Sequence, residues 1–191
     1  MKLKFTYSIK TETEMVKYIL ARRKFFVENN MTVNIPKGVN TTYLKNIPAL
    51  KKAVTKELDK TKTDQYKNKI LNDWKLKKEL INQDFRFLPF EKPSKIEVVL
   101  SQYGCGGFYH TSLDKISINI RGLKDPLEVL IHETIHAIIE KPLAKKYDFT
   151  WNENEAIVDY LIIKYFSNLF PEYKYRFGEP SEELLRKMGL K

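Results

Sequence analysis

The chain has 191 residues, enough to bury a sizeable core, and carries a formal charge of +10 from 34 Lys and Arg against 24 Asp and Glu. A lone cysteine, Cys105, excludes an internal disulfide and any metal site built from several thiolates. With no apolar stretch long enough to span a bilayer and no apolar core of a secretory signal near Met1, the expectation is a cytoplasmic protein; the lysine-rich composition suits a bacterial or phage-encoded one.

The charge is unevenly spread. Residues 1–100 hold 22 Lys and Arg against 11 Asp and Glu, and residues 101–191 hold 12 against 13. A basic N-terminal half predicts a surface for an acidic partner or nucleic acid, set against the plainer role of lysine in solubility. Because the cations are mostly Lys interleaved with acids, the nucleic-acid signal is weak.

In chain order, Lys2 to Ile9 alternates apolar and polar residues and predicts a half-buried strand. Thr11-x-x-Glu14 predicts the start of a helix running to about Asn29. Pro36, Gly38 and Pro48 mark a loop, and two basic helices follow over roughly 49–60 and 64–82, the second with Tyr66, Ile70, Trp74 and Ile81 on a narrow stripe. After a Pro-bearing connector the character changes: Lys95–Tyr103 and Lys115–Ile120 predict strands either side of a flexible turn at Gly104-Cys105-Gly106-Gly107. The expected organisation is therefore a basic, mainly helical region over 1–94 with one strand, and a second region over 95–191 that carries the chemistry.

That chemistry starts at His132-Glu133-Thr134-Ile135-His136, an H-E-x-x-H motif inside an apolar run. At about 100° per residue the two histidines point roughly 40° apart, one turn from each other, so two imidazoles can grip one tetrahedral ion. Glu133 stands beside them as a proton acceptor. Asp125-Pro126-x-Glu128 supplies an N-cap, a first-turn proline and a capping-box glutamate, and Pro142 is expected to end the helix. By chance alone the bare motif turns up in roughly one chain of this length in a few hundred, so a third ligand is needed to carry the assignment.

No histidine follows His136, and His110 is upstream. An acidic donor fits better. Thr150-x-x-Glu153 caps a helix over Trp151 to about Asn168, and in its first turns comes Asn154-Glu155-Ala156-Ile157-Val158-Asp159. The pairing of His132-Glu133-x-x-His136 with Asn154-Glu155-x-x-x-Asp159, nineteen residues on, resembles the thermolysin-type gluzincin signature of zincin-like metallopeptidases. The resemblance covers about residues 95–168. It implies Zn2+ held by His132, His136 and Glu155, with Asp159 orienting His132 through a hydrogen bond. Glu155 and Asp159, four apart on one helical face, can divide those tasks.

The fold implied is α+β: a small sheet with an edge strand, the H-E-x-x-H helix and a glutamate-ligand helix, preceded by the mainly helical part. The activity implied is hydrolysis of a protein or peptide substrate by metal-activated water, with Glu133 as general base. Members of that family also use a downstream histidine to stabilise the oxyanion, and this chain has none; Tyr109, His110, Tyr160, Tyr165, Tyr173, Tyr175 and Arg176 are the available substitutes. The alternative is a zincin-fold binding or structural protein with weak turnover, associated with nucleic acid through its basic half.

Overall fold

A computed structural model describes residues 1–110, 115–121, 123–143 and 148–191; of residues 110 and 140–143 it describes the backbone alone. The class is mixed helix and sheet. Four strands, β1 (Lys2–Thr6), β2 (Lys95–Ser101), β3 (Gly107–His110) and β4 (Lys115–Asn119), form one sheet in the order β1-β2-β4-β3. β1 and β4 run parallel to β2 on its two sides, and β3 runs antiparallel to β4. The strand from the N-terminal region is thus hydrogen-bonded into the sheet of the C-terminal region, with Leu3 opposite Ile96 and Phe5 opposite Val98.

Helices cover both faces, which is why central β2 reads as a nearly continuous apolar run. On one face Val98, Leu100, Ile116 and Ile118 share a core with α4 (Lys60–Leu76), α5 (Lys78–Phe87), α6 (Pro126–Leu143) and α7 (Trp151–Tyr165). The other face carries α1 (Ile9–Ala21), followed by the short α2 (Arg23–Glu28) and, after a 3-10 turn, α3 (Ile47–Glu57). There Met15, Val16, Ile19, Leu50 and Val54 gather around Tyr103 in a second core. The chain ends in α8 (Glu182–Lys187). The side-chain period of two along β3 divides its residues between these layers. Phe108 stacks on Tyr18 of α1, centroids 5.2 Å apart, while Tyr109 faces α6 and stacks on His136.

Several expected boundaries shift, each for a local reason. β1 ends at Thr6, because Ser8 rather than Thr11 caps α1. Ser8 Oγ accepts from the Thr11 amide and Thr11 Oγ1 accepts from the Ser8 amide, so Thr11 closes a capping box. The helix expected to reach Asn29 breaks at Arg22, and the one expected over 64–82 begins at Lys60 and breaks at Lys77. Both halves of the second break still deliver apolar side chains, Ile70 and Trp74 then Ile81 and Phe85, to the same core. The glycine turn is more structured than expected: Gly104 bridges to Asn34, and Gly107 opens β3. Among the described residues, no helix is long and apolar enough to cross a membrane.

α5 buries one uncompensated charge. Asp84 is 3 % exposed, and among the described residues no donor reaches its Oδ2; burial pushes its carboxyl up to about 6. A folded-state pKa above the unfolded value means the native state binds the extra proton, so this group lowers stability progressively as pH rises from about 4 to 6. Asp84→Asn is therefore expected to stabilise the fold by about 1 kcal/mol at pH 7, after discounting for solvent screening, and by much less at pH 4. Thermal or urea unfolding of both proteins at the two pH values measures the difference.

Candidate metal centre

The centre is built by two helices crossing under the sheet. Asp125 Oδ1 accepts from the amides of Leu127 and Glu128 and so starts α6. The helix then presents an unbroken buried run from Leu130 to Ile139, and its backbone continues through Pro142, the residue expected to end it, to Leu143. α7 begins with a capping box in which Thr150 Oγ1 accepts from the Glu153 amide and Glu153 reaches back to the Thr150 amide. That cap takes up Glu153 and leaves Glu155, one turn into the helix, to face α6.

The three residues that the sequence pairs converge. His132 Nε2 lies 3.1 Å from His136 Nε2 and 3.2 Å from Glu155 Oε2, and His136 Nε2 lies 3.3 Å from Glu155 Oε1. A tetrahedral ion bonded at about 2.0–2.1 Å to each donor separates its ligands by about 3.4 Å, close to the spacing of the two imidazole nitrogens and of each from its nearer Glu155 oxygen. The donor set, two imidazoles and a carboxylate, could hold a divalent metal ion.

The electrostatics support the same donor set. Burial pulls the His132 imidazole below its ordinary pKa, which favours the neutral ring a metal requires. Burial alone would raise the Glu155 carboxyl, but hydrogen bonding and charge from His132 and His136 outweigh it and hold the group well below the usual carboxylate range. Glu133 is 6 % exposed; burial pushes it up to about 8, against the pull of His136. A cation bound beside it would draw that value back down. Cys105, close enough to feel Glu133 and Glu155, is pushed up to about 11, first by burial and then by those charges, so it stays a thiol and donates to the Gly107 carbonyl.

Two further contacts border the centre. Asp159, fully buried on α7, does not touch His132; the Tyr173 hydroxyl stands between them, donating to Asp159 Oδ1 at 2.7 Å and lying 3.0 Å from His132 Nδ1. The expected direct bond from Asp159 to His132 is thus replaced by a two-step connection. On the opposite side, Gly107 of β3 leaves no room for a side chain. A Cβ there would sit 2.6 Å from Glu133 Oε1 and 2.8 Å from Val129 Cγ1. Only glycine lets the Glu133 carboxylate lie against the strand.

A cleft of about 400 Å³ opens onto His132, Glu133 and Glu155. One wall is Trp151, Phe177 and Arg176; the other is the stretch from Asn29 to Thr32, held by the paired Asn34 and Gly104 backbones. The basic N-terminal region therefore supplies part of the cleft itself.

Of the residues considered as oxyanion stabilisers, Tyr173 contacts His132, Arg176 lines the cleft and Tyr109 packs on the centre. Its ring lies flat on His136, 4.8 Å between centroids, and its hydroxyl accepts from Asn154 Nδ2. His110 lies on β3, with its side chain outside the described residues. Tyr160 and Tyr165 are instead grouped around Lys164, whose ammonium donates to the Tyr160 hydroxyl and lies over both rings. Their helical positions explain this: five and ten residues after Glu155, they point about 140° and 80° away from it. The roles of Gly107 and of the Asn29–Thr32 wall have no sequence signal beyond a glycine pair and a loop. Comparison with protein-family models, with curated proteins and with solved structures finds no match to this chain, so what the centre can do rests on its own donor set and geometry.

Proposed function

We propose that the protein is a zinc-dependent peptidase whose metal is held by His132, His136 and Glu155. The observation that carries this is the convergence of those three residues, each pair with donor atoms 3.1–3.3 Å apart, and a second acid, the buried Glu133, beside them and left out of the ligand set. A site that only held structure would gain nothing from burying Glu133 there at such cost. Bound zinc supplies the positive charge that acidifies water and polarises a carbonyl. Glu133 takes the proton from the attacking water and passes it to the leaving nitrogen. Tyr109, whose ring packs on His136, is the hydroxyl we assign to the developing oxyanion. An extended peptide would lie beside β3, last in the sheet order and adjacent to α6, with Trp151 and Phe177 walling the cleft.

The test is incubation of zinc-loaded protein with a complex peptide mixture and identification of new termini by mass spectrometry. Cleavage that a chelator abolishes and zinc restores is the expected result. Stoichiometric zinc with no cleavage would overturn the peptidase assignment and leave a metal-binding protein.

Gly107 gives a further check within the same assay. Gly107→Ala is expected to displace Glu133 without touching the ligands, lowering hydrolysis by about 10–100-fold, as when a catalytic group moves by about 1 Å, with zinc content unchanged. Metal analysis and initial rates on the same preparation separate the two effects.

A further inference from the structure

We propose that Tyr173 is a positioning residue that couples metal binding to the docking of the C-terminal segment after α7. This rests on the zinc assignment above and adds a linkage to it. The segment is delivered by core anchors: Phe166, Leu169 and Phe170 are buried, and the Tyr173 amide donates to the Phe170 carbonyl. Tyr173 then places its hydroxyl in the gap between α6 and α7. Three residues on, the Arg176 amide donates to Asp159 Oδ2 at 2.6 Å, its guanidinium lies over the Tyr173 ring at 4.7 Å, and the same group is ion-paired to Glu128, one turn before His132. Residues 173–176 therefore bridge the two helices that supply all three ligands.

The proton arrangement follows from the inventory of donors. A tyrosine hydroxyl has one proton, and here it goes to the Asp159 carboxylate. The oxygen can then only accept from His132, which fixes the ring's proton on Nδ1. Nε2 is left with its lone pair directed at His136 and Glu155, as a metal ligand must be. The segment thus selects the ligating tautomer of His132. Linkage makes the effect reciprocal: if docking of 173–176 favours zinc, zinc favours docking by the same factor.

Two measurements test this. Zinc affinity is measured by competition with a chelator of known affinity for wild type, Tyr173→Phe and Glu155→Gln. Tyr173→Phe keeps the ring and the Arg176 contact and removes only the hydroxyl; the expected loss is about 10–100-fold in affinity, smaller than that of Glu155→Gln. Amide hydrogen exchange at Arg176 in wild type, with and without zinc, is the second readout, and zinc is expected to slow it by at least about tenfold, the same range expressed as docking. In folded Tyr173→Phe the zinc effect on that amide should vanish. Equal affinity in the two proteins, or an Arg176 amide indifferent to zinc in wild type, overturns the coupling while leaving the metal centre intact. If Tyr173→Phe fails to fold, the wild-type exchange experiment decides by itself. A wild type that takes up no zinc at all removes the metal assignment and the coupling together.

Discussion

Protein purified without added metal is expected to carry close to one zinc per chain, and Glu155→Gln to lose it. Glutamine keeps the size and the helix position of Glu155 but removes the negative charge, and with it the carboxylate that faces both Nε2 atoms. A complete zinc site of four ligands contributes about 10–16 kcal/mol of apparent binding energy, so one of its donors is worth about 3–4 kcal/mol, or about 10²–10³-fold in affinity. The helix itself should survive the change. α7 starts on the Thr150–Glu153 box and is anchored by Ala156, Ile157, Val158, Leu161 and Ile162, none of which depends on Glu155. Circular dichroism should therefore be unchanged while mass-spectrometric metal content collapses. Retention of zinc by Glu155→Gln, at the affinity of wild type, would remove Glu155 from the ligand set and return the search to His110 or another donor.

The parts of this centre that were legible in the sequence are those set by a single helix. His132 and His136 share a face of α6 by periodicity alone, and Glu155 follows Thr150-x-x-Glu153 closely enough that the capping box places it. Contacts between elements were not legible. That Asp159 reaches His132 only through Tyr173 depends on the gap between α6 and α7 and on a turn-rich segment after Phe166 with no hydrophobic period to read. The competition between Ser8 and Thr11 for the α1 cap is a different kind of difficulty: two adjacent hydroxyls both carry a start signal, and the structure uses them together.

Sheet order shows the same limit at larger scale. β1 and β2 are each recognisable, but their parallel pairing joins residues 93 positions apart, Lys2 with Lys95 onward, and nothing local encodes it. Its functional consequence is considerable. Pinning β1 beside β2 sets α1 and α2 against the opposite face of the sheet, and the chain leaving α2 then runs past Gly104, where Asn29 to Thr32 become a wall of the cleft. The excess of lysine in the first hundred residues predicts a surface for an acidic partner or nucleic acid, and charge composition carries no information on which backbone stretch borders a site.

Glu133→Gln is the substitution that separates metal binding from catalysis most sharply. Glutamine can occupy the space against Gly107 and still cannot accept a proton, so the loss belongs to the proton-transfer step: about 10²–10⁴-fold in kcat/KM, with zinc content unaltered. The pH profile supplies an independent check with a definite sign. As the proposed base Glu133 would work only when ionised, so activity is expected to fall as pH falls through its pKa. Burial, against the pull of His136, puts that pKa at about 8, and a cation beside it would favour the carboxylate, so the acid limb of kcat/KM in the zinc-loaded protein should have its midpoint below 8. The limb should be missing from whatever activity remains in Glu133→Gln. An unchanged limb in the variant would assign it to another group, and an unchanged rate would exclude Glu133 as the base. Because Gly107→Ala displaces the same carboxylate without neutralising it, its profile should keep an acid limb at reduced rate. The three proteins measured side by side therefore distinguish a missing proton acceptor from a misplaced one.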